Sequence, residues 1–273
     1  MNKQEILKKY PKEEDKLLIS KVLDKIQFTK TKNQVQFTDF LDGYQQKIIK
    51  QLLEQIREIP FVFSGGYQDS ERKMLFLFPQ KLQELIENLD NQNSVVEETI
   101  KVIEVTLPND LKGSYQHRDY LSAFMKLGMK REKMGDILVR EDGADIIVQV
   151  DIASYLADHL AELTRFQKSN ILLKSISKLI IVQVQKELMT ILVSQLRLDS
   201  VISELLHLSR TKTNEIILQD RVFVNYELKN KNATLLKEND IVTIRGKGKF
   251  QIGNIISETA KGKIRLQVEK YCS

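Results

Sequence analysis

The sequence predicts an α+β protein in three parts. Segments with apolar residues at helical spacing alternate with short runs rich in β-branched and aromatic residues, and the links between them are short. Three of the four prolines fall where the pattern changes. The charge is uneven: residues 197–273 hold 14 Lys+Arg against 9 Asp+Glu, while the other 196 residues carry 28 of each. The whole surplus of +5 therefore lies in the last segment. These observations divide the chain into 1–78, helices with a β-hairpin; 79–195, a helix layer on a mostly antiparallel sheet; and 196–273, a small basic module.

In the first part, Pro11 follows a short helical stretch and suits the first turn of a longer helix with Leu18, Val22 and Ile26 on one face. Thr38 is the expected N-cap of a second helix carrying Phe40, Leu41, Tyr44, Ile48, Leu52 and Ile56. Pro60 ends that helix. PFVFSGGYQDSERKMLFLFP then places two short apolar runs around a polar Gly-Gly tip, a hairpin with a longer loop.

In the second part, Pro79 opens a helix with Leu82, Leu85, Ile86 and Leu89, and a polar break is expected at Asp90–Ser94. Residues 100–108 read as a strand and 116–129 as a helix. Residues 135–150 form a hairpin around Glu141-Asp142-Gly143. An amphipathic helix at 152–166 and strands in ILLKSISKLIIVQV and LMTILVS complete the part. There is no internal repeat and no low-complexity tract.

The basic module opens with Leu198, Val201, Ile202, Leu205 and Leu206 at helical spacing, with Asp199 placed to cap the start. Ser209 can cap a second helix that begins with Arg210 and Lys212 and buries Ile216 and Ile217. First turns favour acidic residues because the helix dipole is positive there. Here free backbone N–H groups and two cations add their positive potential, which makes a phosphate site. RVFVN and YELK alternate as a hairpin around Asn225. DIVTIRG is a further strand and runs into Gly246-Lys247-Gly248-Lys249, where glycines permit close backbone approach and lysines supply charge.

The order RLD, apolar helix, SR-x-K, hydrophobic pair, RV-x-VN and D-I-V-x-I-RG resembles the S-four RNA-binding domain, the αL motif, over about 55 residues. In that family the second helix and adjoining loops contact structured RNA. The resemblance assigns RNA contact to Arg197, Ser209, Arg210, Lys212 and Asn225, with Arg245, Lys247 and Lys249 in support. Asp220 and Tyr226 stand where that family commonly has glycine. SGGYQDSERKM (64–74) and HRDYLSAFMKLGMKREKMGDILV (117–139), followed by this domain, resemble the YlmH family over nearly the whole chain. That resemblance implies a central α-β plait domain of the RRM or ferredoxin-like kind. It also implies a role on large ribosomal subunits that hold a stranded peptidyl-tRNA, in ribosome-associated quality control. The expected partners are rRNA and the large subunit, with tRNA contact left open. Arg118, Lys126, Lys130, Arg131 and Lys133 are candidates for a second RNA-facing surface.

Other chemistry finds little footing. His117-Arg118-Asp119 echoes a kinase catalytic loop, but Phe124 stands where that loop needs asparagine, and the Gly-rich loop and Asp-Phe-Gly are missing. Arg197-Leu198-Asp199 echoes pseudouridine synthases, yet the triplet opens the S-four-like segment itself. Gly65-Gly66 lacks Walker spacing. No carboxylate pair stands out, so no catalytic residue is expected. A cell-division-linked interaction factor is a further reading. One cysteine, Cys272, and three scattered histidines (His117, His159, His207) give no disulfide framework and no metal spacing. No apolar run approaches a membrane span and the N-terminus has no signal-peptide core. The expectation is a cytoplasmic, non-catalytic protein with no cofactor, metal, membrane partner or small-molecule substrate.

Overall fold

The computed structural model describes residues 3–57, 59–83, 89–179, 181, 186–260 and 262–271. It forms two compact units, Met1–Val182 and Gln183–Ser273.

The first unit begins with α1 (Lys3–Leu7), α2 (Glu13–Lys32) and α3 (Gly43–Ile56). Helix α2 starts just after Pro11 with Glu13, Glu14 and Asp15 in its first turn, where the dipole favours them. Its Ile19, Val22 and Ile26 pack with Ile48, Ile49, Leu52 and Leu53 of α3. The cap of α3 is Asp42, not Thr38. The Asp42 side chain accepts from the Gln45 backbone N–H at 2.9 Å, and the Gln45 side chain accepts from the Asp42 N–H at 3.0 Å. This reciprocal box satisfies two otherwise orphan donors. Thr38 lies further upstream, where its hydroxyl accepts from the Leu75 N–H. The short strand β1 (Gln36–Phe37) occupies the segment just before it.

Strands β2 (Phe61–Ser64) and β3 (Met74–Leu77) form the expected hairpin, in a sheet ordered β1-β3-β2. Central β3 is buried on both faces because its faces serve two cores. Leu75 and Leu77 meet α2 and α3, while Met74 and Phe76 meet the neighbouring sheet. After Pro79 comes a 3-10 turn at Gln80–Leu82. Leu85 and Ile86 of the expected helix lie outside the described residues. Helix α4 (Leu89–Thr99) runs straight through the expected polar break at Asp90–Ser94. Polar residues interrupt an apolar periodicity without interrupting helical backbone, and Val96 resumes the buried contacts.

Next come β4 (Ile100–Thr106), α5 (His117–Lys126), β5 (Met134–Arg140), β6 (Gly143–Gln149), α6 (Val150–Glu162) and β7 (Asn170–Ser175). The sheet order is β5-β6-β4-β7, with every neighbour antiparallel. This is the β-α-β-β-α-β plait. One face (Ile103, Val105, Ile146, Val148) buries Tyr120 and Phe124 of α5 and Leu156 and Leu160 of α6. The other face (Ile100, Val102, Ile147) packs on Phe40, Met74, Phe76 and Phe78. The β5–β6 turn needs glycine, since a Cβ on Gly143 would lie 1.8 Å from the Val105 carbonyl oxygen. Asp145 of β6 is only 2% exposed. Arg140 reaches it at 2.7 Å, Asp142 at 3.0 Å and Glu104 at 3.9 Å.

The second unit holds β8 (Lys186–Val193), α7 (Leu198–Leu206), α8 (Arg210–Leu218), β9 (Val222–Val224), β10 (Glu227–Leu228), β11 (Ile241–Ile244), β12 (Gly248–Glu258) and β13 (Ile264–Tyr271). Its antiparallel sheet is ordered β10-β9-β11-β12-β13-β8. The sequence places LMTILVS in the central part, 79–195. In the structure β8 pairs residue for residue with β13, from Lys186↔Tyr271 to Val193↔Ile264. One sheet face packs Val222, Val242, Ile252 and Val268 against Leu198, Val201 and Ile202 of α7 and Ile217 of α8. Among the described residues no helix is long and apolar enough to cross a membrane, and no His/Cys/Asp/Glu group is arranged to hold a metal ion.

Candidate nucleic-acid interface

Helix α7 ends at His207, whose left-handed backbone (φ 50°) turns the chain sharply. Two residues later Ser209 caps α8, its hydroxyl accepting from the Lys212 N–H at 3.4 Å. Ser209 is therefore committed to the helix start. Arg210 and Lys212 fall in the first turn, exposed, with no acidic residue in that turn. Among the described residues neither forms an ion pair. Arg210 also lines a groove of about 570 Å³ together with Arg197, Lys263, Asn214 and Asn232. Lys263 went unremarked in the sequence. The Lys-Gly-Lys sequence that it closes has the same basic-glycine composition as residues 246–249 and carries the same signal.

Asp199 also lines the groove, and its role differs from the expected cap. Arg197 occupies the N-cap position without a side-chain cap. Asp199 sits in the first turn and accepts from Arg197 Nε at 3.1 Å and Nη2 at 2.6 Å. It accepts from the Ser200 N–H as well, at 2.8 Å. Arg197 thus lines the groove with its charge largely answered, leaving Arg210 and Lys263 as its other cations, with Glu204 as a second carboxylate in the lining.

Asn225 is spent within the fold. Its Nδ2 donates to Asp240 at 2.7 Å and its Oδ1 accepts from the Ile241 N–H at 2.9 Å. Asp220, Asn225 and Tyr226 all hold positive φ, 55°, 50° and 66°. The positions where the S-four pattern commonly has glycine thus keep the glycine-like conformation, at about 1–2 kcal/mol each for a residue with a side chain. Arg245, Lys247 and Lys249 gather around the β11–β12 turn, away from the groove. Arg245 lies 4.6 Å over the Phe223 ring and Lys249 lies 4.6 Å over Tyr271. Lys247 is exposed.

The five cations of the second candidate surface separate. Arg118, Lys126 and Lys130 are exposed. Arg131 turns inward and donates to the carbonyls of Met134 and Gly135, both at 2.9 Å. Burial, with Arg72 beside it, pushes its guanidinium down to about 10. Arg72 donates to the carbonyls of Met134 and Phe40, and Asp136 accepts from Tyr67, the Glu71 N–H and the Arg72 N–H. Burial raises the Asp136 pKa despite these bonds. The segment 64–74 is thereby latched onto β5. Lys133 bridges Asp39 and Asp151, each at 3.0 Å, and reaches Gln149 at 2.6 Å. Asp119 of the His-Arg-Asp triplet closes a capping box at the α5 start and pairs with Arg165 at 2.8 Å.

Residues 96–179 match the family model described as "Putative RNA-binding domain in YlmH", and residues 14–82 match "YlmH, N-terminal". The chain is 33% identical over 235 residues to the ribosome-associated protein quality control protein P2 of Bacillus subtilis (strain 168), which covers 85% of this chain and 86% of that protein. Among solved structures it is similar to the cell division protein ylmH from Streptococcus pneumoniae, with a TM-score of 0.50, 20% identity, and coverage of 63% of this chain and 98% of that one. That likeness speaks for the fold. Identity of this level over most of both sequences, with family matches at 14–82 and 96–179, places the chain in the YlmH family.

Proposed function

We propose that this protein is a non-catalytic RNA-binding factor that docks on rRNA of the large ribosomal subunit and acts in the rescue of subunits holding a stranded peptidyl-tRNA, with the tRNA as a second contact. The observation that carries this reading is the α8 start. A serine-capped helix presents Arg210 and Lys212 where the dipole is already positive, beside a groove joined by Arg197 and Lys263. Support comes from the charge surplus confined to this segment, from the S-four resemblance, and from the B. subtilis relative's name. The plait contributes differently. Sheet-based RNA readers stack bases on aromatic residues of an open face. Here that face carries Val102 and Ile147 and is packed against Phe40 and Phe76. RNA contact by the plait then falls to Arg118, Lys126 and Lys130.

Co-sedimentation of the whole protein with purified ribosomal subunits between 50 and 200 mM salt tests the reading. Three cations on phosphates give a log–log slope of roughly −3 and a loss of roughly 40-fold over that range. Selective, salt-sensitive pelleting with large subunits is expected. Equal pelleting with small subunits, or none with either, would reject it. Appearance of a modified rRNA base that is lost on Asp199→Ala or Asp119→Ala would make the protein an enzyme.

A further inference from the structure

The sheet of the second unit has a second face, away from α7 and α8, and its register assembles residues from four distant parts of the chain. Phe223 pairs with Thr243, and Thr243 with Lys249. Lys249 neighbours Tyr271 through the adjacent Phe250↔Lys270 pair, and Tyr271 pairs with Lys186. This row contains no carboxylate. Glu269, one row away, is engaged by Lys186 at 2.7 Å. Four cation–π contacts gather here: Arg245 over Phe223 at 4.6 Å, Lys249 over Tyr271 at 4.6 Å and over Tyr226 at 5.8 Å, and Lys186 over Tyr271 at 4.8 Å. Such contacts occur about once per 75 residues in general. The rings are partly exposed, and Lys186, Arg245 and Lys247 are exposed.

We propose that this strip binds an unpaired, single-stranded RNA segment, with bases stacked on Tyr271, Tyr226 and Phe223 and phosphates held by Lys186, Lys247 and Lys249. Phe223 and Tyr271 are three strand spacings apart, roughly 14 Å, a span suited to about two or three bases. Base stacking on aromatic rings combined with backbone charge contacts is how single strands are held without sequence preference. An acidic peptide would use the lysines and leave the ring faces idle. The strip lies at the Lys186 end of β8 and the α8 groove at the Val193 end, roughly 23 Å away along the strand. The inference rests on the RNA-binding reading but not on the α8 site.

The test uses the full chain and three probes: a labelled 12-nucleotide oligouridine, a blunt RNA hairpin, and a 12-residue polyglutamate. Tyr271→Leu and Lys249→Gln are each expected to weaken oligouridine binding about tenfold and to leave hairpin binding unchanged. A 4-thiouridine-labelled oligomer should crosslink to Tyr271 or Tyr226 in the unaltered protein, a readout that stands if a variant fails to fold. Unchanged oligouridine binding in folded variants, crosslinks elsewhere, or tighter binding of polyglutamate would overturn the proposal. Loss of hairpin and oligouridine binding in the unaltered protein would instead overturn the RNA-binding reading itself.

Discussion

Replacing Arg210 and Lys212 together by alanine is expected to weaken large-subunit association by roughly 100-fold at low salt, since each cation gives up a charge-assisted contact to phosphate. The salt slope should fall by about two, one for each phosphate contact removed. Stability should move the other way or not at all. Both residues occupy the first turn of α8, where a positive side chain opposes the dipole by about 0.3–1 kcal/mol. Ser209, the cap, is left in place, and the buried residues of α8 are Thr213, Ile216 and Ile217. A folded double variant with weaker binding and an equal or higher melting temperature is the outcome expected of a site kept at the expense of helix stability. Unchanged association of the folded double variant would remove α8 from the interface.

The largest stability effect is expected at Arg140. Its guanidinium answers Asp145, which is buried in the central sheet, and also faces Asp142 and Glu104. Lys174 holds Glu104 from the other side at 2.5 Å. Truncating Arg140 to alanine strands the Asp145 carboxylate inside the sheet. Breaking a buried pair by removing one partner costs about 3–5 kcal/mol, which corresponds to a melting temperature lower by roughly 6–20 °C for a unit of this size. Asp142→Ala is the control. Asp142 keeps half of its side-chain surface in solvent (51%), so losing it should cost under about 1 kcal/mol. Equal melting temperatures for the two variants would show that Asp145 is not held by Arg140.

Local rules carried the sequence reading far where structure is local. The start of α2 after Pro11, the Gly143 turn and the Ser209 cap each depend on residues within one turn of one another. Misreadings arose where a competing local option or a distant partner decided the outcome. Thr38 and Asp42 were both able to cap, and the reciprocal bonds with Gln45 settled it in favour of Asp42. The pairing of β8 with β13 joins residues more than 70 apart, which no periodicity announces. The same holds for the candidate sites. Arg210 and Lys212 could be read from their position after a cap. Asp199 could not be placed without seeing Arg197 fold back onto it. Lys133 reads as a surface cation because its carboxylate partners, Asp39 and Asp151, come together only in the tertiary structure, and Arg131 because its own acceptors, the carbonyls of the first two residues of β5, are backbone groups that no side-chain pattern announces.

The most direct test of the central claim is crosslinking of the protein to RNA in cells, followed by sequencing of the bound RNA and mapping of the crosslinked peptides. Large-subunit rRNA attached to peptides spanning Arg197–Asn214 or Lys263 is the predicted result. RNA unrelated to the ribosome, or crosslinks confined to residues 3–179, would contradict it.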